Sequence, residues 1–264
     1  MFRTWLWWWQ AQRNESSLNA GGDILSEILA RLIEQAVGPS FEFGEYRVTR
    51  STTHLDDAEI FRFRFRVYLE SGFIAPNDFP EEILRDEFDN AATQIAVRDR
   101  CGLLVGTTRF VRPSIVGFHT EKLFDFELPP VNRFHMAEFG RLAVRTNHRG
   151  GERFVMLAML KAVFECMIDN GTTHVLAFLS PKLAESFAEL GCKPLTLRAL
   201  KPCERTLENR SAMKRYFESQ CPLPVLYDLE LMLSQVGVRR TTIAGRLQHG
   251  PSEKSDPVPT RAIA

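Results

Sequence analysis

The period of apolar and polar positions changes several times along the chain, and each change marks an element. In "DILSEILARLIEQAV", residues 23–37, Ile24, Leu25, Ile28, Leu29, Leu32, Ile33 and Ala36 fall on one face. That spacing predicts an amphipathic helix, with Asp23 at its start and "GPS" at its end. "EYRVTR", 45–50, alternates and reads as a first strand. "FRFRFRVY", 61–68, poses a conflict, because strict alternation argues for a strand. Against it, Thr53 and Asp56 form a capping box, no Gly or Pro interrupts 55–70, and Gly72 supplies a stop. Phe61, Phe65, Tyr68 and Leu69 also satisfy helical spacing, so the segment is expected to be a helix. On a helix Arg62, Arg64 and Arg66 spread over more than one face, and one of them is free to point inward.

Further along, "EEILRDEFDN", 81–90, is acidic and follows a Pro-containing loop. Strands are expected at 93–99 and 103–111, joined by the turn "RCG", and a short helix follows. "MAEFGRLAV", 136–144, is the next strand. A Gly-containing loop leads into a helix at 154–170, then a strand at 174–179 and a helix at 180–190 with Pro181 in its first turn and Gly191 beyond its end. One or two strands lie between 194 and 230. The order mixes a meander with βαβ features, which gives an α/β (α+β) fold with a mixed sheet flanked by helices. Three parts are expected: an arm with an amphipathic helix at 1–40, a main domain at 41–235, and a disordered, slightly basic polar tail at 236–264.

Composition narrows the function classes. The chain has 264 residues with 33 Lys+Arg against 33 Asp+Glu, which gives no reason to expect a nucleic-acid partner. Five cysteines, with no C-x-x-C, read as reduced cytoplasmic thiols, and the six histidines form no H-E-x-x-H, so no metal site is expected. No P-loop or dinucleotide fingerprint occurs. All four tryptophans lie at positions 5, 7, 8 and 9. That run is too short to span a bilayer. It reads either as a peripheral membrane anchor or as a cluster packed on the protein itself or on a partner. Twenty phenylalanines imply a large core, an apolar pocket, or both.

The stretch "AEFGRLAV", 137–144, raises a chemical question. Glu138 and Arg141 stand three apart in a strand that otherwise reads as core. Buried charges are costly unless paired or used. The alternatives are a core ion bridge and a working site. Arg64 and Tyr68 sit four apart on the expected helix, Asp86 and Asp89 three apart in "DEFD", and Arg109 ends "VGTTR".

In this order and spacing, across roughly residues 45–195, these pieces resemble the GNAT acyltransferase superfamily, in the branch of acyl-homoserine-lactone synthases and N-acyl amino acid synthases. The resemblance implies a GNAT-like, mostly antiparallel central sheet. It implies that Glu138, Gly140 and Arg141 carry catalysis, and that Arg64, Tyr68, Asp86, Asp89 and Arg109 bind the acceptor. Val144, Arg149, Gly150 and Gly151 are then the acyl-donor site. Phe73 stands where the family has Trp, and "RGGER" replaces the fuller pyrophosphate loop of coenzyme-A users. That shortened loop suits an acyl-phosphopantetheine thioester on an acyl carrier protein better than acyl-coenzyme A, with no tightly bound cofactor. Beside the resemblance stands a physical argument. Residues three apart in a regular strand face opposite ways. Glu138 and Arg141 share a face only across a bulge, and Gly140 is the expected place for one. A bulge also frees backbone N–H groups to hold an oxyanion. Phe61, Phe65, Phe73, Phe110, Phe139, Phe178 and Phe187 are candidates for an acyl tunnel. The implied reaction moves a fatty acyl group to an amino acid amine. The alternatives are a lactone-forming synthase using S-adenosylmethionine, a plain coenzyme-A acetyltransferase, and a silent lipid- or membrane-binding module.

Overall fold

The computed structural model describes residues 30, 31, 33–51, 57–148, 154–200, 204, 206 and 213–238. The tryptophan cluster, the Asp23 cap, the Thr53–Asp56 capping box, Arg149, Gly150, Gly151 and the segment 239–264 lie outside the described residues.

Eight strands form one sheet in the order β1-β2-β3-β4-β5-β6-β8-β7. They are β1 (Ser40–Phe43), β2 (Tyr46–Ser51), β3 (Ala92–Arg98), β4 (Leu104–Val111), β5 (Met136–Val144), β6 (His174–Leu179), β7 (Leu195–Thr196) and β8 (Leu223–Asp228). Five antiparallel strands run as a meander, β5 and β6 are parallel, and the remaining pairs are antiparallel. The fold is therefore mixed, mostly antiparallel and GNAT-like. The strand at 45–50 is not the first, because β1 precedes it and pairs with it through a turn at Gly44, whose φ of 62° suits glycine.

Helix α1 (Asp57–Glu70) covers one face of the sheet and α2 (His119–Leu123) is a short turn before β5. Further helices among the described residues are α3 (Phe154–Asp169), α4 (Pro181–Glu189), α5 (Lys214–Gln220) and α6 (Leu229–Gln235). Alternation along the strands sorts the two layers. Ile95, Val97, Val105, Ala137 and Phe139 face α3 in the main core, while Ala96 and Ala143 pack with Ile60, Phe61, Phe63 and Val67 of α1. Helix α3 is buried nearly all round. Each such large side chain contributes about 1.5–3 kcal/mol. Gly106 lets α3 approach, since a Cβ there would stand 2.4 Å from Val155 Cγ1.

The conflict at 61–68 resolves as a helix. A strand would put all three arginines on one face. On α1, Arg62 and Arg66 reach solvent while Arg64 is fully buried. Val236 and Val238, placed in the expected tail, pack into the core. Among the described residues no helix is long and apolar enough to cross a membrane.

Candidate functional site

The site begins with a register shift. Between the pairs Thr107↔Ala143 and Arg109↔Gly140, β4 advances two residues and β5 three. The extra residue is a bulge opposite Thr108, whose hydroxyl donates to the Gly140 carbonyl at 2.8 Å. The left-handed residue is Arg141, at φ 55°, and not Gly140. The expected bulge thus exists one position later than the glycine suggested. It puts Glu138 and Arg141 on the same face, the one toward α1.

They do not pair with each other. Arg141 Nη2 donates to Asp86 Oδ2 at 2.5 Å. Glu138 Oε2 accepts the Thr120 N–H at 2.7 Å, and Glu138 Oε1 has no hydrogen-bond partner among the described residues. Burial pushes the Glu138 carboxyl up to about 7, against the pull of the Arg109 charge and the Thr120 N–H. A Cβ at position 140 would lie 3.9 Å from Glu138 Oε1, in ordinary van der Waals contact.

"DEFD" is a 3₁₀ turn, Glu87–Ala91, closed by a reciprocal cap. Asp86 Oδ1 accepts the Phe88 N–H at 3.0 Å, and Asp89 Oδ2 accepts the Asp86 N–H at 2.9 Å. The remaining carboxylate capacity meets arginines. Arg109 Nη1 reaches Asp86 Oδ1 at 2.5 Å and Asp89 Oδ1 at 3.0 Å, and Arg64 Nη1 reaches Asp89 Oδ1 at 2.8 Å. Gln94, an inward polar residue on β3, accepts from Arg64 at 2.5 Å and donates to Asp89 at 3.1 Å. Burial opposes the charge of Asp86, but Arg141 and Arg109 outweigh it and hold this carboxyl far below its ordinary range. Burial also lowers the Arg64 guanidinium, whereas Asp86 and Asp89 raise that of Arg109. Arg109 Nε and Nη2 and Arg64 Nε have no hydrogen-bond partner among the described residues.

In front of this network lies a cavity of about 240 Å³. Asp86, His119 and Arg141 form its polar wall, and Tyr68, Phe73, Phe79 and Tyr216 its aromatic one. The structure therefore brings together Arg64, Tyr68, Asp86, Asp89, Arg109, Glu138, Gly140 and Arg141. Val144 stands at the far end of β5, half-buried and paired with Gly106. Strands β5 and β6 pair only from Met136↔His174 to Glu138↔Leu176 and separate beyond Glu138. The bulge thus lies beside an open wedge in the sheet.

The phenylalanine tunnel is largely not what the structure shows. Phe73 lines the large cavity, whereas Phe139 and Phe187 line a void of about 20 Å³ on the α3 side. Phe61, Phe65 and Phe110 are core, and Phe178 supports His119 and Tyr216 through ring contacts. Sequence reasoning missed His119, Tyr216 and Gln94. Of these only Gln94 left a signal, as a polar residue at an inward strand position.

The sequence model described as N-acyl amino acid synthase FeeM matches residues 59–212, more than half of the chain. Among solved structures, the chain is similar to TofI in a ternary complex with an inhibitor and MTA (19% identity, TM-score 0.51, covering 75% of this chain and 99% of that one). It is similar also to the AHL synthase LasI (13% identity, TM-score 0.51, covering 73% and 93%). At these identities the likeness establishes the fold alone. No curated protein sequence matches this chain.

Proposed function

The chain belongs to the N-acyl amino acid synthase FeeM family and is an acyltransferase, and from that premise we propose that it moves a long-chain fatty acyl group from an acyl-carrier-protein thioester to the amine of an amino acid or related small molecule. The observation that carries this reading is Glu138, a buried carboxyl with one oxygen unpartnered and a pKa of about 7, beside the point where β5 and β6 part. A general base works best when its pKa lies near the operating pH.

The acceptor occupies the cavity, with its carboxylate on Arg141 and its apolar part against Tyr68 and Phe73. Glu138, directly or through a water, takes a proton from the amine. The amine nitrogen attacks the thioester carbonyl, backbone N–H groups released at the Arg141 bulge hold the oxyanion, and the C–S bond breaks as the amide forms. The sulfur leaves as a thiolate, which is tolerable for a thiol of pKa about 8.5. Arg64, Arg109 and Asp89 sit behind the cavity wall and fix Asp86 and Arg141. Gly140 packs beside Glu138 at the start of the bulge. The acyl arm enters through the β5–β6 wedge past Val144, and Arg149, Gly150 and Gly151 meet its phosphate at the entrance to α3. A carrier-protein donor places the reaction in the cytoplasm.

The test is mass spectrometry of products from the purified protein with long-chain acyl carrier protein, a panel of amino acids and S-adenosylmethionine. N-acyl amino acids are expected. An acyl lactone, or no acylated product, overturns the reading. In parallel, kcat/KM for acyl carrier protein should exceed that for the matching acyl-coenzyme A at low salt and lose its advantage as salt rises. Equal or better use of acyl-coenzyme A at low salt overturns the choice of donor.

A further inference from the structure

One polar group of the large cavity has no task in the scheme above. His119 is the first residue of α2, and its ring is held against Phe88 at 5.2 Å and Phe178 at 5.4 Å. Its relative exposure is 9%, it lines the cavity, and neither ring nitrogen has a hydrogen-bond partner among the described residues. A ring fixed in this way against two phenylalanines presents its polar edge to whatever fills the cavity.

The neighbours say which partner. Arg85 and Arg141 can only donate. Asp86 already accepts from Arg109, Arg141 and the Phe88 N–H. Tyr68 and Tyr216 belong to the aromatic wall, each in ring contact with Phe73. Beside these groups, His119 places a nitrogen acceptor on the polar wall next to Arg141, and either tautomer keeps one lone pair. Its successor, Thr120, is the residue whose N–H holds Glu138. One peptide unit therefore links this ring to the carboxyl that takes the proton.

Resting on the acyl-transfer reading, we propose that the lone-pair nitrogen of His119 accepts a hydrogen bond from the acceptor amine and turns that amine toward the thioester, while Arg141 meets the acceptor's carboxylate. The proton lost as the N–C bond forms goes to Glu138, the electrons of the broken C–S bond leave with sulfur, and His119 gains no proton overall. Its surroundings support this use. Burial, and then Arg141, push the imidazole well below its ordinary value, so the lone pair is available at neutral pH.

The experiment compares wild type, His119→Phe and His119→Asn under steady-state conditions, with KM measured separately for donor and acceptor and with Tm. The Phe variant keeps the ring contacts. It should melt within a few degrees of wild type, raise the acceptor KM about tenfold and leave the donor KM unchanged. Asn, whose carbonyl accepts a hydrogen bond, should recover part of the loss. A His119→Phe enzyme within twofold of wild type, a defect confined to the donor KM, or equal impairment of Phe and Asn variants overturns the assignment. A wild type that acylates no amine overturns the acyl-transfer reading and this assignment with it, whereas an active wild type matched by His119→Phe overturns this assignment alone.

Discussion

Two glutamates lie buried among the described residues, each at 1% exposure, and they are used in opposite ways. Glu165 sits on α3 one turn after Lys161, whose ammonium donates to it at 2.5 Å and also to the Gln35 carbonyl. Its other oxygen faces the Val37 N–H at 3.5 Å. The charges cancel, and together they fasten Gln35 and Val37 to α3. Among the described residues Glu138 has one backbone donor and an oxygen without a partner, beside an arginine network that is committed to Asp86 and Asp89. A closed pair fixes structure, whereas a carboxyl left incomplete is held ready for a proton.

Replacing each glutamate by glutamine should break that comparison most sharply. Glu165→Gln removes one member of a closed buried pair and should cost about 3–5 kcal/mol of stability. It should leave kcat per folded molecule within about twofold, since Glu165 takes no part in the chemistry. Chemical denaturation and active-site-normalised kinetics check this. An equally stable variant would mean that the pair does not clamp the arm.

Glu138→Gln should act in the opposite sense. A carboxyl raised from 4.5 to about 7 on folding holds its proton more tightly when folded. Its ionisation therefore costs nothing below about pH 4.5, lowers stability progressively from there to about pH 7, and leaves the loss constant above that. Glutamine mimics the protonated form, so this variant should gain about 3 kcal/mol at pH 8 and nothing at pH 4. Its kcat should fall roughly a hundredfold or more. Wild-type kcat/KM should rise with pH through about 7, and the variant should lose that limb. A stable but fully active Gln variant removes Glu138 from the mechanism.

The smallest effect belongs to the ground the two regions share. Gly106→Ala puts a Cβ against Val155 and should cost about 1–3 kcal/mol through overpacking. Because Val155 lies in the first turn of α3, beside the expected donor loop, the donor KM should rise more than the acceptor KM. The reverse order would separate the start of α3 from donor binding.

Legibility in the sequence followed the strength of the period. "MAEFGRLAV" became β5 with both ends as read, and the Gly106-bearing return strand and α3 were nearly as clear. Strand β1 was missed because four residues, two of them apolar, give no period to count. Helix α5 was missed for the same reason, and with it Tyr216. The charged residues were legible because buried charge at fixed spacing is rare, but their partners were not. Asp86 and Arg141 meet across 55 positions, and no local pattern reports such a distance. The bulge was foreseen from the spacing of Glu138 and Arg141. It was misplaced because glycine is the ordinary choice for a left-handed residue, and here an arginine holds that conformation.

That arginine distorts the usual experimental blank. At φ 55° any residue with a Cβ carries a steric cost of about 1 kcal/mol or more, and glycine carries none. An alanine scan across β5 would remove the guanidinium and keep the strain. Glycine at 141 would remove both, and should leave a protein about 1 kcal/mol more stable than the alanine variant. The difference between the two variants measures what the backbone tolerates in order to aim one side chain at Asp86, a quantity that the alanine variant by itself would assign to the ion pair.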